Sequence, residues 1–98
     1  MITARFHTKG TEFILAACDS DLLGKRLEDA DTAMDLATDF FNGDEVTGDE
    51  FRGMLARATS ANLVGHEAVR IAVEEGCVHR DAVGEISGIP FAIFFCMG

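Results

Sequence analysis

The sequence predicts an α+β domain, a two-layer sandwich in which an antiparallel sheet of four to five strands carries two helices on one face. Two strand-like runs open the chain, two segments of helical periodicity lie in its second half, and two further strand-like runs close it. Strands and helices are therefore segregated along the chain. This order favours an antiparallel sheet covered on one side over a parallel sheet covered on both.

The first two elements form a predicted β-hairpin. Residues 2–8 alternate between apolar and polar side chains, which is the period of a half-buried strand. Residues 12–18 are mostly apolar and are interpreted as the returning strand. Gly10 lies between them and can take the positive φ that a tight turn needs.

Residues 27–41 fit two different periodicities. Helical spacing groups Met34 with Ala30 and Ala37, whereas alternation groups it with Leu36. The residues alone leave helix and strand open as alternatives.

A capping box marks the start of the first predicted helix. Thr47 caps the helix, and Glu50, three residues later, reaches back to the cap. The apolar side chains that follow have helical spacing and form one face: Phe51, Met54, Leu55 and Ala58.

A second helix is predicted after residues 59–62, with Asn62 as its cap. It runs to Glu75, and Gly76 is placed to stop it in a left-handed conformation, with Val78 packing back on it. Its apolar stripe is formed by Val64, Ala68, Ile71 and Ala72.

Two strands around Gly88 are predicted to close the chain, at residues 83–87 and 90–97. The last run is apolar on both faces, which is typical of a strand that is central in a sheet or covered on both sides. If the helices cover one face only, the other face needs its own cover. Either a homodimer through residues 91–97 or a curled sheet within one chain could supply it.

Composition narrows the class of protein. The chain has 98 residues and a formal net charge of −9, from 17 acidic and 8 basic residues. A basic footprint for nucleic acid is absent over the whole chain, and the acidity suits either a solvated surface or a basic partner. No apolar run is long enough to cross a membrane and no signal peptide is recognisable, so a single cytosolic domain over residues 1–98 is expected.

The best candidate for ligand chemistry is the expected start of the second helix, with Thr59, Asn62, Gly65, His66 and Glu67. Backbone N–H groups at a helix start can bind an anion, and the histidine and glutamate add acid–base capacity. The competing interpretation is ordinary capping by the asparagine and close packing at the glycine.

Lys25 is a second candidate, because Gly24 could let the backbone approach a phosphate while the lysine supplies charge. A turn glycine followed by solvated charges is the alternative. The frame of a phosphate-binding P-loop is missing, and no nucleophile elbow is present. Three widely spaced cysteines and three histidines show no metal-ligand spacing, so catalytic residues, a metal and a cofactor are not expected.

Three short motifs resemble those of a known family. They are Ala-Ala-Cys-Asp running into Leu-Leu-Gly-Lys at residues 16–25, Ala-Asn-Leu-Val-Gly at 61–65, and Gly-x-Val followed by Ile-x-Gly-Ile-Pro-x-Ala at 76–92. In this order and spacing they are similar to a small archaeal family known as domain of unknown function 424, over nearly the whole chain. The resemblance implies a compact mixed α/β fold without an established activity, suggests a link to translation or RNA, and favours a strand at residues 32–37.

The leading hypothesis is a non-enzymatic binding module for a macromolecular partner, either RNA, a translation component or a protein with a basic face. The acidic charge counts against direct binding to a phosphate backbone. One alternative is a small ligand-binding domain or enzyme at the helix start and Lys25. Another is a structural subunit that dimerises through its last strand.

Overall fold

The structure is a computed structural model, and it describes residues 1–95. The strands within these residues are, in chain order, β1 Ile2–Lys9, β2 Glu12–Asp19, β3 Arg26–Glu28, β4 Ala33–Asp35, β5 Asp44–Val46, β6 Ser60–Val64, β7 Gly84–Ile86 and β8 Ile89–Phe95. The α-helices described are α1 Gly48–Arg57 and α2 His66–Glu74. Short 3₁₀ turns lie at Ser20–Leu22 and Arg80–Ala82. None of the helices described is long and apolar enough to cross a membrane.

The main sheet has six strands in the order β5-β1-β2-β6-β8-β7, and β3 and β4 form a separate pair. The α+β class is confirmed, but the sheet is mixed, so the expectation of an antiparallel sheet of four to five strands is wrong. Strand β6 pairs parallel to β2, with Ala16 opposite Asn62. The long connection through α1 makes this possible, because a parallel pair needs a crossover rather than a tight turn.

Asn62 does not cap the second helix, and that prediction is wrong. It lies inside β6, between β2 and β8. Helix α2 begins later, at His66, with Gly65 as its N-cap. Pairing on both sides decided the conformation of this short apolar run, which local periodicity could not distinguish from a helix.

Residues 27–41 form neither a long helix nor a long strand. Strands β3 and β4 pair antiparallel, with Leu27 opposite Met34. The strand implied by the family resemblance is thus confirmed for Ala33–Asp35, and the helical alternative is excluded.

Several local predictions are confirmed. Gly10 and Gly76 have φ values of 61° and 76°. The capping box of α1 is complete, since Thr47 N donates to Glu50 Oε1 at 2.9 Å and Glu50 N donates to Thr47 Oγ1 at 3.1 Å. Val78 is buried in the main core, as a residue that packs back on the helix should be.

Two hydrophobic clusters lie on opposite faces of the main sheet. The larger one joins both helices to one face, through Phe51, Leu55, Ile71, Leu15 and Leu63 among others. The smaller one joins Ala16, Cys18 and Val64 of the other face to Leu22, Leu36 and Phe41. The segment between β2 and β5, which contains β3 and β4 and which we call the β3–β4 excursion, therefore covers part of the second face. The predicted two-layer sandwich did not include this cover.

Cys18 is fully buried in the smaller cluster. Burial, and then the negative charges of Asp19 and Asp21, raise the pKa of its thiol from 9.0 to about 11. Since the thiolate is the nucleophile, its population at pH 8 falls ~100-fold below that of an ordinary cysteine.

We therefore expect iodoacetamide at pH 8 to leave Cys18 unmodified in the folded protein and to modify it in urea. Peptide mapping by mass spectrometry measures the modification. Equal rates in the folded and denatured protein would contradict the buried placement.

Candidate functional site

The candidate site lies on the sheet face that points away from the helices. On β8 the side chains alternate between the faces, so Ala92 and Phe94 pack in the helical core while Phe91 packs in the smaller cluster. Ile93 and Phe95 point to the same side as Phe91 because side chains of a strand alternate with a period of two. We call this side of the sheet the outer face.

A cavity of about 200 Å³ opens on the outer face between the sheet and the β3–β4 excursion. The excursion contributes Met34, Phe40 and Phe41, and the sheet contributes Asn62, Leu63, Val64, Phe91, Ala92 and Ile93. Asn62 supplies the only polar side chain among these lining residues. Its amide is half-buried and makes no hydrogen bond to any part of the chain that the structure describes. An apolar cavity with one unpaired amide is suited to hold an apolar side chain or ligand beside a hydrogen-bonding group.

Two side chains of β1 hold the wall of this cavity in place. The His7 ring stacks on Phe40 at 4.6 Å with an interplanar angle of 8°, and its Nε2 is 2.8 Å from Phe40 O. Arg5 Nη1 donates to Asp39 O at 3.1 Å and to Asn42 O at 3.4 Å. These two β1 residues therefore position a loop.

Next to the cavity, β8 presents large apolar side chains to solvent. Ile93 is 55% exposed and Phe95 is 78% exposed. Contiguous apolar side chains that are exposed beside an apolar cavity are a feature of interaction surfaces. Residues 96–97, which the prediction of a dimer interface included, lie outside the described part of the chain.

Acidic residues are concentrated in the segment that covers the cavity. Residues 28–39 carry five acidic residues and no lysine or arginine. In sequence, Asp35 follows Met34 and Asp39 precedes Phe40, two residues that line the cavity, and both aspartates are exposed. Asp29 Oδ2 accepts a hydrogen bond from Ser87 N at 3.0 Å, which attaches the acidic excursion to the turn between β7 and β8. We call residues 28–39, which carry these acidic side chains, the acidic border; within it, Glu28 Oε1 pairs with Arg26 Nε at 2.6 Å.

The start of α2, which the sequence offered as an anion site, already holds a carboxylate of the protein. Asp19 Oδ2 accepts from Glu67 N at 3.0 Å, and Asp19 Oδ1 accepts from Ala68 N at 2.9 Å. Gly65 packs directly against this carboxylate, with a φ of 117°. Sequence reasoning missed Asp19 because it lies at the end of β2, 48 residues before Glu67.

The other sequence-predicted residues do not converge with Asn62. His66 lines an open groove of about 580 Å³ beside α2, together with Arg70, Arg80 and Glu85. Thr59 Oγ1 exchanges hydrogen bonds with the backbone of Phe13, at 2.9 and 3.1 Å.

Lys25 is exposed in the link to β3, where its backbone bonds to Leu22 and Leu36. Glu67 pairs with the N-terminal amino group at 3.5 Å. Within residues 1–95, no group of three or more histidine, cysteine, aspartate or glutamate side chains is arranged to hold a metal ion.

The fold and this face define a class of protein: a small α+β domain with a six-stranded mixed sheet, helices on one face and a partly covered apolar cavity on the other. The chain belongs to the family described as protein of unknown function (DUF424), whose match covers residues 6–97. No curated protein matches the sequence.

A solved structure has the same fold. It is the crystal structure of an uncharacterized conserved protein from Methanopyrus kandleri, which is 23% identical to this chain with a TM-score of 0.79. The alignment covers 99% of this chain and 94% of the other.

Proposed function

We propose that the domain is a non-enzymatic binding module whose partner is a protein segment rich in basic and apolar residues. The outer face is the docking surface. The observation that carries the proposal is the exposure of Ile93 and Phe95 beside an apolar cavity with an acidic border. Burying such side chains supplies affinity, and the charge selects a partner of opposite sign.

The net charge supports a basic protein segment over RNA. A chain of charge −9 repels a phosphate backbone, whose binding depends on lysine and arginine contacts. Arg5 and His7 of β1 are engaged with the loop at residues 39–42 and are not free to contact a phosphate backbone. RNA is therefore the rival outcome of the test.

Binding of a small anion at the start of α2 is less well supported. The N–H groups of Glu67 and Ala68 donate to Asp19 and are not available to an external anion. The groove beside His66 is open, and two arginines and two glutamates within it offset one another in charge.

Fluorescence anisotropy with three labelled probes tests the proposal. The probes are a peptide alternating lysine with valine around a central phenylalanine, its glutamate counterpart, and a single-stranded RNA. We expect saturable binding of the lysine peptide alone, weakening as salt rises from about 50 to 300 mM because the charges are screened. Preference for the RNA, or equal binding of both peptides, would overturn the proposal.

A matched pair of variants locates the site. Ile93→Lys places a like charge where a basic segment would dock and removes apolar area, so we expect affinity for the lysine peptide to fall at least ~10-fold. Phe13→Lys is the control because it makes the same change of charge at another exposed apolar residue: Phe13 is 43% exposed at the hairpin tip and packs on Phe6 of the helical face. Equal loss in both variants would place the docking surface elsewhere, and circular dichroism verifies that each variant folds.

A further inference from the structure

Among residues 1–95, residues 92–95 have a strand partner on one side only. Strand β8 pairs with β6 from residue 91 to Phe95, but with β7 only over residues 89–91. The chain leading into β7 departs from the sheet, because Val83 packs in the helical core and Arg80–Ala82 is a 3₁₀ turn. In the described part of the chain, the side of residues 92–95 that faces away from β6 is therefore unpaired. We call it the open edge.

The direction of the peptide groups shows which ones face the open edge. Gly65 N donates to Pro90 O at 2.8 Å, so the backbone of Pro90 faces the β6 side. Because the peptide groups of a strand alternate in direction, Ala92 and Phe94 face β6 and Ile93 and Phe95 face the open edge. The N–H and C=O groups of these two residues are thus directed at the position of a seventh strand.

The open edge is short, but it carries no charge, proline or bulge, the other features that normally prevent strand addition. Exposed edges usually carry charges, a proline or a bulge. The opposite edge of this sheet fits that rule, since β5 is three residues long and contains Asp44 and Glu45. Residues 92–95 are Ala-Ile-Phe-Phe, uncharged and of high strand propensity. Main-chain groups ready to pair therefore coincide with the exposed side chains of the docking surface.

We infer that the basic, apolar partner segment binds in an extended conformation by adding a strand to the open edge beside Ile93 and Phe95. The inference rests on the proposed function and specifies its mode of recognition. A strand added here places alternate side chains on the outer face, next to Ile93 and the cavity. Its apolar residues occupy that side, and the lysines or arginines between them point to the opposite side of the sheet. The net charge of −9, rather than the acidic border of the outer face, attracts them.

The charge of the chain favours such a segment over a second copy of this chain as the partner of the open edge. A second copy has the same net charge of −9 and the same acidic segment at residues 28–39. Two copies paired edge to edge would repel each other, whereas a basic segment is attracted. Self-association through β8 is consequently an outcome that the experiment must separate.

Alternate N-methylation of the lysine peptide tests the inference. One version carries N-methyl groups on the lysines and the other on the apolar residues. A strand paired through one edge donates only every second N–H, so one version should lose binding at least ~10-fold while the other keeps it within ~3-fold. Saturating unmethylated peptide should also slow amide exchange at Ile93, measured by NMR, and leave the amide of Ala92 unchanged because it already faces β6.

Each result has one meaning. Binding of the unmethylated peptide with equal affinities for both methylated versions and unchanged exchange at Ile93 would overturn strand addition and leave the proposed function standing. Failure of the unmethylated peptide to bind would overturn both. A dimer in sedimentation velocity, with the Ile93 amide protected before peptide is added, would assign the edge to a second copy and overturn the inference.

Discussion

Replacement of Gly65 by alanine is expected to destabilise the domain by about 4 kcal/mol or more. The backbone has a φ of 117° at this position, where a side chain is strained by roughly 1–3 kcal/mol. An added Cβ would also meet the carboxyl group of Asp19 far inside van der Waals contact. Urea unfolding followed by far-ultraviolet circular dichroism measures the loss.

Two glycine controls separate strain from steric conflict. Gly24 has a φ of 87°, and no atom lies within 4 Å of the position that an added methyl group would take, so Gly24→Ala reports strain alone. Gly53 lies on an exposed side of α1 with open space around it, so Gly53→Ala should stabilise the helix by about 0.5–1 kcal/mol. A loss at Gly65 no larger than that at Gly24 would show that the contact with Asp19 contributes nothing.

Removal of the Asp19 carboxylate is expected to cost about 2–4 kcal/mol, because two N–H groups at the start of α2 would lose a charged acceptor. These N–H groups belong to Glu67 and Ala68 and lie in a partly buried environment. The carboxylate also opposes the positive end of the helix dipole. Asp19→Asn retains one acceptor oxygen and should therefore lose roughly half as much as Asp19→Ala.

Asp21→Ala is the matched control for this prediction. Asp21 is an exposed acid two residues away whose carboxylate makes no ion pair or hydrogen bond within residues 1–95, so the change should stay within about 0.5 kcal/mol. The double variant of Asp19→Ala with Gly65→Ala should cost less than the sum of its parts, since alanine at position 19 leaves room for the added methyl group. Additive losses would contradict the direct contact between the two residues.

The sequence identifies the start of α2 as a candidate anion site. It does not show which anion binds there. The residues around Gly65 are candidate ligand-binding residues because the N–H groups at a helix start can bind an anion. In the structure the helix start does bind an anion, and that anion is the Asp19 carboxylate of the same chain. No local pattern connects Asp19 to Gly65, because pairing of β2 with β6 brings them together across the sheet.

Asn62 is a candidate residue in both the sequence and the structure, but its predicted and observed positions in the fold differ. The sequence makes it a candidate because it lies at the expected start of the second helix, and that placement is wrong. Its place in β6 puts its amide on the outer face, where it lines the cavity with Met34 and Phe40. Periodicity over five residues cannot distinguish a central strand from the first turn of a helix, and only the flanking strands made the difference.

By itself the sequence determined the elements whose causes are local. The hairpin, the capping box at Thr47 and the stop at Gly76 each depend on residues within a few positions of one another, so their side chains or backbone freedom specify them directly. Tertiary structure alone decided the parallel pairing of β6, the anion supplied by Asp19 and the open edge of β8. These features join segments tens of residues apart, and the free energy that fixes them comes from burial and pairing between strands rather than from the preference of any single segment.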